Sequence, residues 1–178
     1  MKKEIIISGF GGQGVMSIGK NLVEAGMAEG LEVTWAPSYG PEMRGGTANC
    51  QVVLSTKPVG SPLFTHPSEL IAMNGPSLEK FEPLVQQNGL VLINSSVVSE
   101  RVERPDLKVV YVPCAEIAYR VGNPKVGNMV MLGAYVAATG ALKPDTIRQM
   151  IREMFTGPKA KLQDLNFRAL DEGMACVG

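Results

Sequence analysis

The run Ser38-Tyr39-Gly40-Pro41-Glu42-Met43-Arg44-Gly45-Gly46 gathers a phenol, a carboxylate, a thioether and a guanidinium within nine residues. Pro41 and the glycines around these side chains rule out a helix, so they sit in a loop. A guanidinium between glycines is well placed to grip a phosphate or a carboxylate through two parallel N–H bonds. The bland alternative is a surface loop in which Glu42 and Arg44 are simply solvated. A second run makes that alternative weaker. Gly9-Phe10-Gly11-Gly12-Gln13-Gly14 is a G-x-G-x-x-G lying between a β-branched run and a helical pattern. Its glycines permit a tight turn and close approach, and the free amides over Gly11, Gly12, Gln13 and Gly14 can hold an anion at the helix start. A tight turn that binds nothing is equally compatible with these residues.

The residues around these two loops exclude several chemistries. A dinucleotide site wants an acidic residue at the end of the second strand to hold the ribose hydroxyls. Here that strand ends Thr34-Trp35-Ala36-Pro37, Glu32 lies near its start, and no basic residue replaces the acid. NAD(P) is therefore disfavoured. No Gly-Lys-Ser/Thr follows the glycines, which rejects a P-loop. His66 is the sole histidine and has no neighbouring metal ligand or nucleophile, so it reads as a loop or interface residue. Cys50, Cys114 and Cys176 are widely spaced, odd in number and contain no C-x-x-C, so they read as buried free thiols. An iron–sulfur cluster or structural zinc needs four placed ligands, and this chain is expected to hold neither alone. Met129, Met131, Met150 and Met154 read as core or subunit-contact residues.

The elements that must position the loops follow from hydrophobic spacing. Lys3–Ser8, with Ile5, Ile6 and Ile7, is apolar on both faces and suits a central strand. Val15, Ile18, Leu22, Ala25 and Gly26 recur at helical spacing, Lys20, Asn21 and Glu24 face away, and the helix should stop near Gly30. Leu31–Ala36 completes a βαβ unit. Residues 37–47 cannot be a crossover helix, so the next strand, Asn49–Ser55, is a candidate for antiparallel pairing. Further strands are expected at Leu70–Met73, Leu90–Asn94 and Lys108–Val112, with a helix over Pro76–Gln87. The last third is helical: Val126–Thr139, a helix opened by Pro144, and a final one burying Leu162, Leu165, Ala169 and Leu170. These elements predict one α/β domain over residues 1–178. Its form would be three-layered and Rossmann-like, with a mostly parallel, possibly mixed sheet and a helical C-terminal segment.

Composition narrows the partners. Lys+Arg and Asp+Glu each total 17, so no broad field draws the chain to nucleic acid or to an anionic membrane. The N-terminus, MKKEIIISGF, suits neither a signal peptide nor a span, and a cytoplasmic protein is expected. Zero formal charge and ten methionines imply sticky surface, hence self-association of the isolated chain or burial against partners.

GFGGQG near the start, followed by APSYGPEMRGGTANCQVVLS, resembles the gamma subunit of 2-oxoacid:ferredoxin oxidoreductases, the pyruvate, ketoisovalerate and 2-oxoglutarate enzymes. The later GNPKVGNMVMLG, with Asn128 at a helix start, is similar to the family's downstream motif, and the likeness covers essentially the whole chain. The resemblance implies a complex with alpha and beta subunits, a delta subunit as a further candidate, and ferredoxin reached through the assembly. Thiamine diphosphate and [4Fe–4S] clusters would sit on other subunits, and coenzyme A would be acylated as a 2-oxoacid is decarboxylated. Gly11, Gly12, Gln13, Gly14, Ser38, Tyr39, Gly40, Pro41, Glu42, Arg44, Gly45, Gly46 and Asn128 would then serve coenzyme A or a subunit interface. No catalytic or metal-ligating residue is expected.

Overall fold

The computed structural model describes residues 1–39 and 47–178. Strand β1 (Lys2–Phe10) leads through helix α1 (Val15–Ala28) to β2 (Glu32–Tyr39) and β3 (Thr47–Ser55). β4 (Glu69–Ala72), α2 (Gly75–Phe81), β5 (Leu90–Asn94), β6 (Lys108–Val112) and α3 (Cys114–Val121) follow. The chain ends in α4 (Gly127–Thr139), α5 (Pro144–Met154) and α6 (Gln163–Ala175). The sheet order is β2-β3-β1-β4-β5-β6. β4, β5 and β6 extend β1 in parallel, whereas β3 is antiparallel to both β1 and β2.

The expected βαβ unit is therefore split. β2 runs in the same direction as β1, but β3 lies between them. The short link between β2 and β3 fits only a hairpin, since a parallel connection needs a crossover of a dozen or more residues. β2 also continues past Ala36 through Pro37 and Ser38. Pro37 is tolerated because β2 is an edge strand, where one side of the backbone needs no ladder donor.

The alternation of β1 divides the core. Ile5 and Ile7 face a large cluster with Ile18, Leu22, Val130 and Ile147, while Ile6 faces a smaller one with Leu70, Leu78 and Phe81. This gives the three expected layers, with α1 and α3–α6 on one face and α2 on the other. The C-terminal helices are not an appendage. Met129 to Val136 of α4 are all buried, as a helix apolar all round requires. α4 crosses α6 at two glycines: a β-carbon on Gly133 would strike the Leu170 carbonyl, and one on Gly173 the Val130 carbonyl.

At the other end of the strands, the hydroxyl of fully buried Tyr135 donates to Glu69 Oε2 at 2.5 Å, and Lys3 Nζ pairs with Glu69 Oε1 at 2.7 Å. Both carboxylate oxygens of this buried group are thus satisfied, which fixes the start of β4 against α4.

Three expectations need correction. Helix α3 was not expected, because its eight residues follow Pro113 directly and are too few to display a clear period. Asn21 does not face away from the core but is only 6% exposed. Cys176 is exposed, near the end of α6, while Cys50 and Cys114 are buried. Among the described residues, no helix is long and apolar enough to cross a membrane.

Candidate functional site

The glycine loop after β1 and the described flanks of the second loop lie at one end of the sheet. Phe10, the last residue of β1, pairs with Thr47, the first of β3, and Tyr39 pairs with Ala48. The flanks of the second loop therefore stand beside the start of the first. Ser38 is exposed at the end of β2. Gly40, Pro41, Glu42, Met43, Arg44, Gly45 and Gly46 lie outside the described residues.

Gln13 closes the first loop. Its Oε1 accepts from Phe10 N–H at 2.7 Å, its Nε2 donates to the Met73 carbonyl at 2.8 Å, and its own N–H reaches the Phe10 carbonyl at 3.2 Å. One carboxamide thus ties the ends of β1 and β4 together. Gly9 permits this, because a β-carbon there would sit 2.7 Å from both Gln13 Oε1 and Met73 Cβ. Gly12 and Gly14 adopt φ of 88° and 77°, left-handed values that other residues resist.

Gly14 caps α1 without a side-chain hydrogen bond, and Val126 caps α4 in the same way. The two helix starts touch: a β-carbon on Gly14 would lie 2.6 Å from Asn128 Cβ. The start of α1 carries no side-chain cap and presents N–H groups there, whereas α4 continues directly from a 3-10 turn over Pro124–Val126 that the Asn123 side chain caps. A crevice of about 280 Å³ opens there, lined by Gly12, Gln13, Gly14, Asn94, Lys125 and Asn128. Phe10 is 40% exposed near it, and Val97, on its lining, is 58% exposed. The start of α3 is different, because Ser96 Oγ accepts from Ala115 N–H at 2.8 Å and also donates to the Glu116 carboxylate. That bond holds the Glu116 carboxyl below its ordinary value.

Of the residues expected from sequence, Gly12, Gln13, Gly14 and Asn128 line the crevice, and Gly11 lies in the same loop. Asn94 and Lys125 were missed as lining residues. The rule that α/β ligand sites lie beyond the carboxyl ends of the strands points to Asn94, which ends β5. Lys125 follows Asn123-Pro124, whose Asn123 Oδ1 accepts from Lys125 N–H at 2.9 Å and fixes the turn before α4.

Cys114 also lines the crevice but is no nucleophile, since burial pushes its thiol up to about 12. Cys50, beneath α1, is pushed to about 11 for the same reason. His66 stays in an exposed loop, with Nδ1 2.9 Å from Thr65 Oγ1, and does not join the site. Among the described residues, no three His, Cys, Asp or Glu side chains gather as a metal cage.

The fold and site define an α/β domain of mixed sheet with a crevice at the carboxyl ends of its strands whose described lining suits an anion or a partner's surface. Comparison with known proteins makes this specific. The chain belongs to the pyruvate ferredoxin/flavodoxin oxidoreductase family, whose model matches residues 4–176.

It is 42% identical over 169 residues to the ketoisovalerate oxidoreductase subunit VorA of Methanothermobacter thermautotrophicus, covering 94% of this chain but 35% of that one. The chain thus spans about a third of the length of that relative. It is 31% identical to the 2-oxoglutarate synthase subunit KorC of Methanocaldococcus jannaschii, over 97% of this chain and 92% of that one. The gamma subunit of a keto/oxoacid ferredoxin oxidoreductase from Geobacter sulfurreducens superposes with a TM-score of 0.86 at 28% identity, covering 99% and 97% of the two chains.

Proposed function

We propose that residues 1–178 form one gamma-type domain, the gamma subunit of a multi-subunit 2-oxoacid:ferredoxin oxidoreductase. The complex converts a 2-oxoacid and coenzyme A to acyl-coenzyme A and carbon dioxide while reducing ferredoxin. A branched-chain 2-oxoacid or 2-oxoglutarate is the substrate class. The observation that carries this reading is the family match over nearly the whole chain, joined to similarity with KorC over almost the full length of both proteins.

The division of labour follows from the residues. Thiamine diphosphate and [4Fe–4S] clusters belong to the alpha, beta and delta partners, where the electrons pass to ferredoxin. The donor set at the crevice fits a phosphate of coenzyme A: the uncapped start of α1 and the ammonium of Lys125. Gln13 would hold the glycine loop in shape, and Asn128 would hold the second helix start against Gly14. Arg44 would add a planar fork from the neighbouring loop. Exposed Phe10 and Val97 suit a rim covered by a partner subunit.

The test is co-purification from the native cell followed by reconstitution. The isolated chain, given 2-oxoacid, coenzyme A and an artificial electron acceptor, should show no turnover, and the full complex should be active. Robust turnover by the isolated chain would overturn the reading. In the complex, Arg44→Ala should cost roughly 1.5–3 kcal/mol of binding, seen as a raised Michaelis constant for coenzyme A. Loss of subunit association at unchanged coenzyme A dependence would instead assign Arg44 to the interface.

A further inference from the structure

β2 is an edge strand, and among the described residues no strand pairs with its outer side. The neighbouring ladders fix which of its backbone groups face outward. Met73 N–H donates to the Ser8 carbonyl at 2.8 Å, so Ser8 turns its backbone groups to β4 and Ile7 turns its own to β3. Ile7 is paired with Cys50, whose groups therefore face β1 rather than β2. Cys50 is paired in turn with Pro37, so Pro37, Trp35 and Val33 direct their backbone groups away from the sheet. The open edge offers the N–H groups of Val33 and Trp35 and the carbonyls of Val33, Trp35 and Pro37.

Open edges are ordinarily blunted by charge or by a bulge. The register of β2 on β3 runs without a bulge from Glu32 to Tyr39, and Glu32 at its start is its only charged residue. The layer beside the edge is apolar too. Gly19 and Gly26 let β2 pack closely on α1, since β-carbons there would lie 3.0 Å from Trp35 Nε1 and 2.8 Å from Val33 Cγ1. Lys20 Nζ covers the Trp35 ring, 5.2 Å from its centroid. Glu24 and Ala28 face α5, while Ser17 and Asn21 face the groove towards α4 and α6. The side of α1 left beside β2 carries Met16, Val23 and Met27 at helical spacing. Met16 and Val23 are half-buried, and Met27 is 62% exposed.

We infer that the β2 edge is an interface to a second copy of this chain, paired antiparallel about a two-fold axis at Trp35 so that two sheets become one. In that register Trp35 exchanges both backbone bonds with Trp35 of the second copy, and each Val33 N–H meets a Pro37 carbonyl across the axis. The donor that Pro37 lacks leaves only the Val33 carbonyl to water. The side chains agree on both faces. Glu32 falls opposite Ser38 and Thr34 opposite Ala36, so no like charges meet. On the other face the two Trp35 rings come together near the axis, flanked by Met16, Val23 and Met27 of both copies. A strand from an unrelated protein would pair with the edge but leave Met27 uncovered, whereas the two-fold covers edge and stripe together and closes on itself. The zero formal charge of the chain sets no net repulsion between copies. The inference rests on the edge alone and not on the oxidoreductase reading.

Sedimentation velocity on the full chain at tens of micromolar should show a dimer that dissociates on dilution. Hydrogen exchange should find the Val33 and Trp35 amides slow in the dimer and about tenfold or more faster in the monomer. Met27→Glu, at an exposed position, should weaken the dimer about tenfold or more and release both amides. Should Met27→Glu misfold, dilution of the parent chain gives the same exchange readout. Thr34→Cys combined with Ala36→Cys, in a Cys176→Ser chain, should form a covalent dimer with oxidised glutathione, because the register sets those side chains opposite each other. Either new cysteine alone should cross-link far less. A chain that stays monomeric at tens of micromolar overturns the inference, and so does a dimer whose Val33 and Trp35 amides exchange freely. Protection of these amides only in the assembled oxidoreductase complex would give the edge to another subunit's strand and overturn it too. None of these readouts depends on turnover, so this inference and the proposed function fail separately.

Discussion

At the scale of single residues, Gln13 is the most constrained member of the site. Its side chain answers two backbone groups at once, Phe10 N–H and the Met73 carbonyl. Gln13→Ala would leave both to find water at the mouth of a turn that also needs left-handed Gly12 and Gly14. Both bonds lie near the surface, so the expected loss is about 1–2 kcal/mol, measured by urea unfolding, with faster amide exchange confined to the ends of β1 and β4. Glycine spacing revealed this loop in the sequence, yet glutamine's role was invisible there because its partner carbonyl is 60 positions away. Asn21 was misread for a related reason. A polar residue on a helical wheel is assigned to solvent by default, and only packing reveals α1 covered on that side as well. The thiols separate just as cleanly. Exposed Cys176 should react with a disulfide reagent at pH 8 in the native protein, whereas Cys50 and Cys114 should react only after unfolding. Three fast thiols in the native state would contradict the packing around α1 and α3.

At the scale of elements, the α4–α6 crossing is the tightest contact between helices. Gly133 and Gly173 each lie against the facing backbone, so an added methyl meets a carbonyl that cannot rotate away. Gly133→Ala and Gly173→Ala should each destabilise by about 3 kcal/mol or more, although alanine is the better helix former. A thermal melt decides it, and a raised melting temperature in either variant would mean the helices are not in contact there. The strands and long helices were legible because burial on two faces, or on one helical stripe, writes its period into the sequence. β5 and β6 match their expected limits, and α4 and α5 begin within a residue of theirs. The unread parts are those whose cause is tertiary. The insertion of β3 between β1 and β2 depends on pairing across the sheet, and α3 depends on cover from α4 and α6.

For the whole molecule, the buried and ion-paired groups whose ionisation the fold shifts titrate outside the neutral range, so stability should be flat across neutral pH and fail first where buried neutral groups are forced to ionise. Three such groups sit in the core. Burial raises Cys50 from 9.0 to about 11 and Cys114 from 9.0 to about 12, and it lifts Tyr135 well above 10.0, with the Glu69 carboxylate adding to that rise. The sign is the same for all three. Below the unfolded value near 9 both states keep the proton and the full stability is present. Between about 9 and the raised folded values the unfolded chain has lost protons that the native state still holds, so stability falls as pH rises. For the two thiols together, the loss between pH 8 and pH 10 should be about 2–3 kcal/mol, taking one unit as about 1.4 kcal/mol. On the acid side Asp106, held low by Arg104, and Glu116, held low by Ser96, act in the opposite sense as pH drops through their lowered values. Glu116 is exposed and Asp106 half-buried at the surface, so that limb should be shallow. Urea unfolding at pH 6, 7, 8, 9 and 10 should therefore give a plateau to about pH 8 and a decline beyond it. Cys50→Val should remove close to half of the thiol-linked part of that decline while leaving the plateau flat. If Cys50→Val falls off as steeply as the parent chain, the thiol beneath α1 is not the buried group that the packing requires.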